Sequence, residues 1–257
     1  MNNNLNTYKP IVEMFGLQFD QCTLQQAVKM VVDAGLKREK SLVVTPNVDH
    51  IVMLENDEDM RAIYQKSNFC FADGMPLVWL SKVMKKTLPE RVTGADLLPA
   101  IAKRAAEVGV RLFLLGGQEG VAKEAACKMQ EKNSNLQIVG TYCPPFGFEH
   151  DDEENKKIIA MINDSEADIL FVGVGAPKQE KWAAKHSNQL NVGPILGVGA
   201  AFDFVAGNIK RAPQMIQRLG FEWLWRLMSD PKRLWKRYLI NDPKFILLSL
   251  RELRRAK

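Results

Sequence analysis

Three polar residues stand where apolar runs stop: Thr45 and Asn47 in Thr45-Pro46-Asn47, and Asp73 in Asp73-Gly74. Each turn follows a short run that reads as a buried strand, residues 41–44 and 69–72, and leads at once into a helix-like run. Pro46 fixes its own φ and has no N–H to donate, so the chain must leave the sheet there. Strand, polar turn, helix is the arrangement with which open α/β sheets hold ligands, outside the carboxyl ends of their strands. If the two strands are neighbours, Thr45, Asn47 and Asp73 converge on one crevice. A carboxylate among neutral polar groups suits ligand binding or proton transfer. Helix capping explains the same residue types equally well. Asp49 and His50 have the composition of an acid–base pair, but they sit on the helix after the turn and read as capping or supporting groups.

Three further strand-to-helix turns are rich in glycine. LFLLGGQEG contains Gly116 and Gly117, where a backbone could approach a phosphate at a helix start. Its G-G-x-x-G spacing departs from the dinucleotide fingerprint G-x-G-x-x-G, and no acid ends the next strand, so NAD is not expected. No G-x-x-x-x-G-K-[ST] occurs, which excludes a P-loop NTPase. FVGVGAPKQEKW brings Gly175, then Lys178 and Gln179 in a first helical turn facing the ligand side, with Trp182 packed behind. GVGAAFDFVAGNIKRAP carries Asp203 in an apolar run, where the carboxylate either accepts structural hydrogen bonds or touches a ligand hydroxyl. Asp57-Glu58-Asp59 has the D-x-D form of metal-dependent sugar transferases, but it opens an amphipathic helix and reads as a solvated helix start. The three histidines lack ligand spacing.

Elements that could position these groups alternate along the chain. A strand or hairpin is expected over 12–19, and Thr23 with Gln26 three residues on forms a capping box for the next helix. Strands are expected at 41–44, 69–72, 110–115, 136–140, 168–172 and 194–198. Helices are expected near 48–54, 57–66, 76–84, 94–108, 121–132 and 178–188, with another opened by the four acids at 151–154. This predicts an α/β fold, Rossmann-like, with a mostly parallel sheet covered by helices. The opening residues up to Lys9 read as disordered. The domain expectation is a catalytic unit over 1–210, with room for two interlocked halves meeting near 94–110, and a basic helical appendage over 211–257.

Composition bounds the class. At 257 residues, 46% hydrophobic and 25% charged, the chain can bury a full core. Four scattered cysteines without a CxxC pair point to a reduced, cytoplasmic setting rather than a disulfide framework or zinc cluster. Neither a signal peptide nor a membrane-spanning run is evident. Residues 207–257 hold 13 Lys and Arg against four Asp and Glu, while the rest holds 22 against 26, so a mildly acidic body carries a basic tail. That tail contains three of the five tryptophans, with Leu219, Trp223, Leu224, Leu227 and Met228 at helical spacing and Leu234, Trp235, Tyr238 and Leu239 after Asp230-Pro231. Arg226, Arg233, Lys236 and Arg237 interleave with them. A basic aromatic amphipathic segment suits an anionic membrane surface. An ordinary packed helix is the alternative, and no nucleic-acid-binding signature accompanies the charge.

Taken together, TPNVDH, FADGMPLVW, ERVTGADLL, LFLLGG, VGVGAPKQEKW, GVGAAFDFVAGNIKRAP and EWLWRL…DPKRLWKRYL resemble, in this order, the WecG/TagA/CpsF glycosyltransferases. The resemblance spans roughly 12–239. It implies inverting transfer of a sugar from a UDP-sugar to a polyprenyl-diphosphate-linked saccharide, with no cofactor and no metal, in cell-surface polysaccharide synthesis. It also implies a protein that is cytoplasmic and peripheral at the inner membrane face, and family members often form a homo-oligomer. By the same resemblance Asp73 is the catalytic base, Thr45 and Asn47 line its pocket, Arg91 steadies diphosphate charge and Gln179 contacts the donor sugar. Arg226 and Arg233 match two appendage arginines, while the third position falls on Lys236 or Arg237. Lys178, Gly116, Gly117, Gly175 and Asp203 complete the expected binding set. A base of this kind needs apolar neighbours, which Phe71, Ala72 and Met75 supply. The rival expectation is a non-catalytic nucleotide-sugar or membrane-surface binding module on the same scaffold.

Overall fold

The computed structural model of the chain describes residues 10–255, so the stretch up to Lys9 lies outside the described residues. A hairpin of β1 (Ile11–Met14) and β2 (Leu17–Asp20) precedes α1 (Leu24–Leu36), whose capping box forms between Thr23 and Gln26 as expected. Then come β3 (Ser41–Val44), α2 (Val48–Met53), α3 (Glu58–Gln65), β4 (Phe69–Cys70), α4 (Met75–Val83) and α5 (Gly94–Val108). The second stretch runs β5 (Arg111–Gly116), α6 (Val121–Lys132), β6 (Gln137–Tyr142), α7 (Asp152–Asp164), β7 (Ile169–Gly173), α8 (Lys178–His186), β8 (Pro194–Gly197) and α9 (Ala201–Ala206).

Strands β3 to β8 form one parallel sheet in the order β4-β3-β8-β7-β5-β6. Because β8 joins β3, strands from either side of 94–110 are direct neighbours in it. Period-two alternation sends successive residues of β5 and β7 to opposite faces of the sheet. Leu112, Leu114, Ile169 and Phe171 pack under α1, α5, α6 and α9. Phe113, Leu115, Leu170 and Val172 pack under α7 and α8. Adjacent strands β5 and β7 therefore lead into helices on opposite faces, which opens a crevice at their carboxyl ends. At the other end of the sheet, Asp168 closes the edge through ion pairs with Arg38 and Arg111.

Two strands differ from expectation for identifiable reasons. Phe71 N–H still donates to Val44 O (2.9 Å) and Asp73 N–H to Pro46 O (2.9 Å), but the donor that a parallel ladder needs between them would be the missing N–H of Pro46. The strand expected over 69–72 is therefore regular for two residues only. β6 runs two residues past its expected end, with a register shift where Phe113 lies against Gly140. A Cβ at Gly140 would come within 2.3 Å of the Phe113 ring.

The basic tail is a chain of short helices, α10 (Gln214–Arg218), α11 (Glu222–Ser229), α12 (Pro231–Lys236) and α13 (Lys244–Arg255), with one π turn (Arg237–Asn241) before α13. Leu219 and Trp223 thus do not share a helix. Gly220, at φ +75°, turns the chain between them, and its missing Cβ admits the Trp79 ring. Phe245 and Leu248 of α13 are buried with Met14, Phe19, Ile51 and Leu77, so the end of the tail packs into the body.

Candidate active site

The polar turns after β3 and β4 are tied together by the Asp73 N–H to Pro46 O bond, as adjacent parallel strands require. Thr45, Asn47 and Asp73 all line one cavity of about 1630 Å³ at the carboxyl edge of the sheet. Asn47 does both jobs foreseen for it. Its side-chain oxygen accepts from His50 N–H (3.2 Å) to cap α2, and the same residue forms cavity wall. Asp73 is not a cap, since α4 starts from Gly74 with no side-chain capping bond. The Asp57-Glu58-Asp59 segment is a helix start: Asp57 caps α3 and pairs with Lys181 (2.8 Å). Among the described residues, no group of three or more His, Cys, Asp and Glu side chains is arranged to hold a metal ion.

Asp73 is the most perturbed carboxyl on the cavity wall. Removal from water pushes it up to about 7, the Glu222 carboxylate adds to this, and Arg91 and Arg226 oppose it. An aspartate so placed exchanges protons near neutral pH, which suits a general base. His50 is the opposite case. Burial, with Arg237 nearby, lowers it to about 3, so the imidazole is neutral and serves the α2 cap.

Gly117 and Gly175 lie on the cavity wall. Gly116 is a correction: it is buried behind the wall, where a Cβ would sit 2.6 Å from Gly173 O, so its contribution is the close approach of β5 to β7. Gln179 is also largely committed inside the protein. Its Oε1 accepts from the N–H groups of Gly175 (3.2 Å) and Gly199 (3.0 Å), and its Nε2 donates to Glu180 (2.8 Å), pinning two glycine turns to each other. Lys178 pairs with Glu149 (2.8 Å) and lies 5.0 Å from the ring of Phe146. Phe146 itself is fully exposed at the cavity mouth. Asp203 lines the cavity, half-buried, and burial raises its carboxyl against the pull of Arg233.

The appendage roofs this cavity. Arg226 stacks over Phe204 (5.3 Å), Arg233 pairs with Asp230, and Arg237 pairs with Asp49 (3.2 Å) beside Asn47 (3.4 Å). Arg237 lines the cavity whereas Lys236 lies over Trp235, so position 237 is the one that faces the site. Arg91 is held by Glu222 (2.9 Å), Gln217 (2.6 Å) and Asp96 (3.6 Å). Sequence reasoning missed Asp96, Arg211, Gln217 and Glu222. Two signals pointed to three of them: Asp96 and Arg211 fall inside motifs already singled out, and Glu222 is the lone acid of residues 207–229, whereas nothing in the sequence marked Gln217.

Comparison with known proteins gives a family match along almost the whole chain. Residues 12–257 match the glycosyl transferase WecG/TagA/CpsF family. The chain is 29% identical over 259 residues to the N-acetylglucosaminyldiphosphoundecaprenol N-acetyl-beta-D-mannosaminyltransferase of Staphylococcus aureus strain MW2, covering 98% of this chain and 97% of that protein. The proteins of the same name from strains NCTC 8325 / PS 47 and COL match equally, at 29% identity and the same coverage.

Proposed function

The chain belongs to the WecG/TagA/CpsF glycosyl transferase family, and from that premise we propose that it moves a sugar from a UDP-sugar onto a polyprenyl-diphosphate-linked saccharide, with inversion and without a metal. The observation that carries this reading is Asp73, a carboxyl raised to about 7 on the wall of a strand-end cavity and flanked by Arg91 and Arg226. As base, Asp73 takes the proton of an acceptor hydroxyl while that oxygen bonds to the anomeric carbon. The bond from that carbon to the diphosphate oxygen breaks on the opposite face, and its electron pair leaves with UDP.

Negative charge grows on the departing diphosphate, and positive groups must meet it. Arg91, Arg226, Arg233 and Arg237 supply that charge around the cavity. The Gly117 and Gly175 turns lie at the β5/β7 crevice, where a nucleotide fits an open α/β sheet. Phe146, exposed at the mouth of that crevice, offers a face for the donor base. Thr45 and Asn47 form the wall on the Asp73 side, and Gln179 holds the glycine turns whose backbone meets the donor. Roofing by the appendage keeps water from competing as acceptor.

Membrane association is part of the proposal. No helix among the described residues is long and apolar enough to cross a membrane. The tail exposes Met228, Leu239, Ile246 and Leu247 together with its basic residues, an amphipathic surface suited to the anionic inner face of a membrane.

The relatives' names set the first substrates to try. The chain, UDP-N-acetylmannosamine and a short-chain N-acetylglucosaminyl-diphospho-prenol should yield a lipid-linked disaccharide and UDP, with undiminished product in EDTA. Glucose and N-acetylmannosaminuronic acid donors complete the screen. UDP binding without product from any donor would favour a binding module, and strict dependence on added manganese would remove metal independence.

A further inference from the structure

Arg91 and Arg211 alternate with Asp96 and Glu222 in a closed ring of charge. Glu222 lies 2.9 Å from Arg91 and 3.7 Å from Arg211, and Asp96 lies 2.6 Å from Arg211 and 3.6 Å from Arg91. All four side chains are at most one-quarter exposed, so the ring is screened far less than a surface pair. Its members come from three places: Arg91 and Asp96 flank the start of α5, Arg211 lies before α10, and Glu222 opens α11. Gln217 of α10 completes the junction by accepting from Arg91 and donating to Ala212 O.

The ring has consequences for both the roof and the site. It is a polar tie between the appendage and the start of α5, and α11 buries no residue of its own. The ring therefore adds a charged tie to the contacts of Arg226 with Phe204 and of Trp223 with Tyr238 that hold α11 over the cavity. The ring also brings a carboxylate from the tail into the electrostatic surroundings of Asp73, which otherwise include Arg91, Asp96, Arg211, Arg226 and Tyr64.

We propose that Glu222 and Arg211 are positioning residues that lock the appendage onto the α5 start and set, with opposite signs, the charge felt by the residue that deprotonates the acceptor. This rests on the reading of Asp73 as base. With Glu222 in place, Asp73 stays a weaker acid and thus a stronger base. Without it, Arg91 keeps Asp96 as its one acid in the ring, and Asp73 gives up its proton more readily.

Two variants separate this from simple loosening of the tail. Glu222→Gln removes negative charge but keeps a side chain able to accept from Arg91, and Arg211→Gln removes positive charge from the other side of the ring. The pH profile of kcat/KM should shift its acid-limb midpoint down by roughly half a pH unit or more in Glu222→Gln and up in Arg211→Gln. Glu222→Asp should restore the wild-type midpoint. Amide exchange over 222–229 should quicken about fivefold or more in both glutamine variants. Midpoints that move in the same direction, or not at all, would overturn the tuning role, and unchanged exchange would overturn the lock. A wild-type profile with no ionisation near 7 would instead contradict Asp73 as base, leaving the lock to stand or fall on the exchange result.

Discussion

Asp73 answers two opposed demands. As the proposed base it must be ionised, yet its surroundings favour the protonated form and hold it near 7. Activity should therefore fall on acidification, with kcat/KM halved near pH 7 and dropping about tenfold per unit below it. The stability sign follows from the same shift. Below the ordinary aspartate value both native and unfolded chains carry the proton, and nothing is lost. As pH rises towards 7 the unfolded chain releases its proton first, so folding grows less favourable, and the cost is complete above 7. A displacement from 3.8 to about 7 sets an upper limit of roughly 4 kcal/mol. Asp73→Asn should accordingly be more stable than wild type at pH 8 and gain little at pH 4, as urea unfolding at both values would show. The residue was legible as one that either caps a helix or faces a crevice, and the family resemblance chose between the two. The pairing of Arg91 with Glu222 was not legible, because 131 residues separate them and only folding of the tail brings them together.

Glycine and proline fix the elements that hold the site. At Gly116 the backbone has φ +115° and a Cβ would lie 2.6 Å from Gly173 O. Gly116→Ala should destabilise the fold by about 2–4 kcal/mol and lower donor affinity, because β5 and β7 must part at the crevice. Thermal unfolding with a UDP titration measures both. The strands and the first-turn residues of α8 could be read from hydrophobic runs ending in glycine. The direction in which Gln179 points could not. That depends on two N–H groups, from Gly175 and Gly199, which converge only once β7 and β8 pair. The tail was readable as basic, aromatic and helical, with the break at Pro231 evident. Its extra turn at Gly220 follows from the approach of Trp79, a contact between distant segments.

Over the whole molecule, the strand-end cavity lies beneath a surface that is both basic and apolar. Met228 and Leu239 are exposed and lie outside the cavity wall, so replacing both with serine should leave unfolding temperature unchanged. The same change should weaken binding to anionic vesicles by roughly tenfold, and added salt should weaken it further. Removing everything from Gln214 onward is a harsher change, since Phe245 and Leu248 belong to the buried core. The sheet order and the meeting of distant loops at its carboxyl edge gather Thr45, Asn47, Asp73 and Arg91 on one face, the proposed catalytic one. The measurement that tests that claim most directly is transfer by Asp73→Asn, assayed with a UDP-sugar and a prenyl-diphosphate acceptor beside UDP binding by calorimetry. The expected result is a loss of kcat of about 10²-fold or more with UDP affinity near wild type; wild-type turnover by that variant would contradict Asp73 as base.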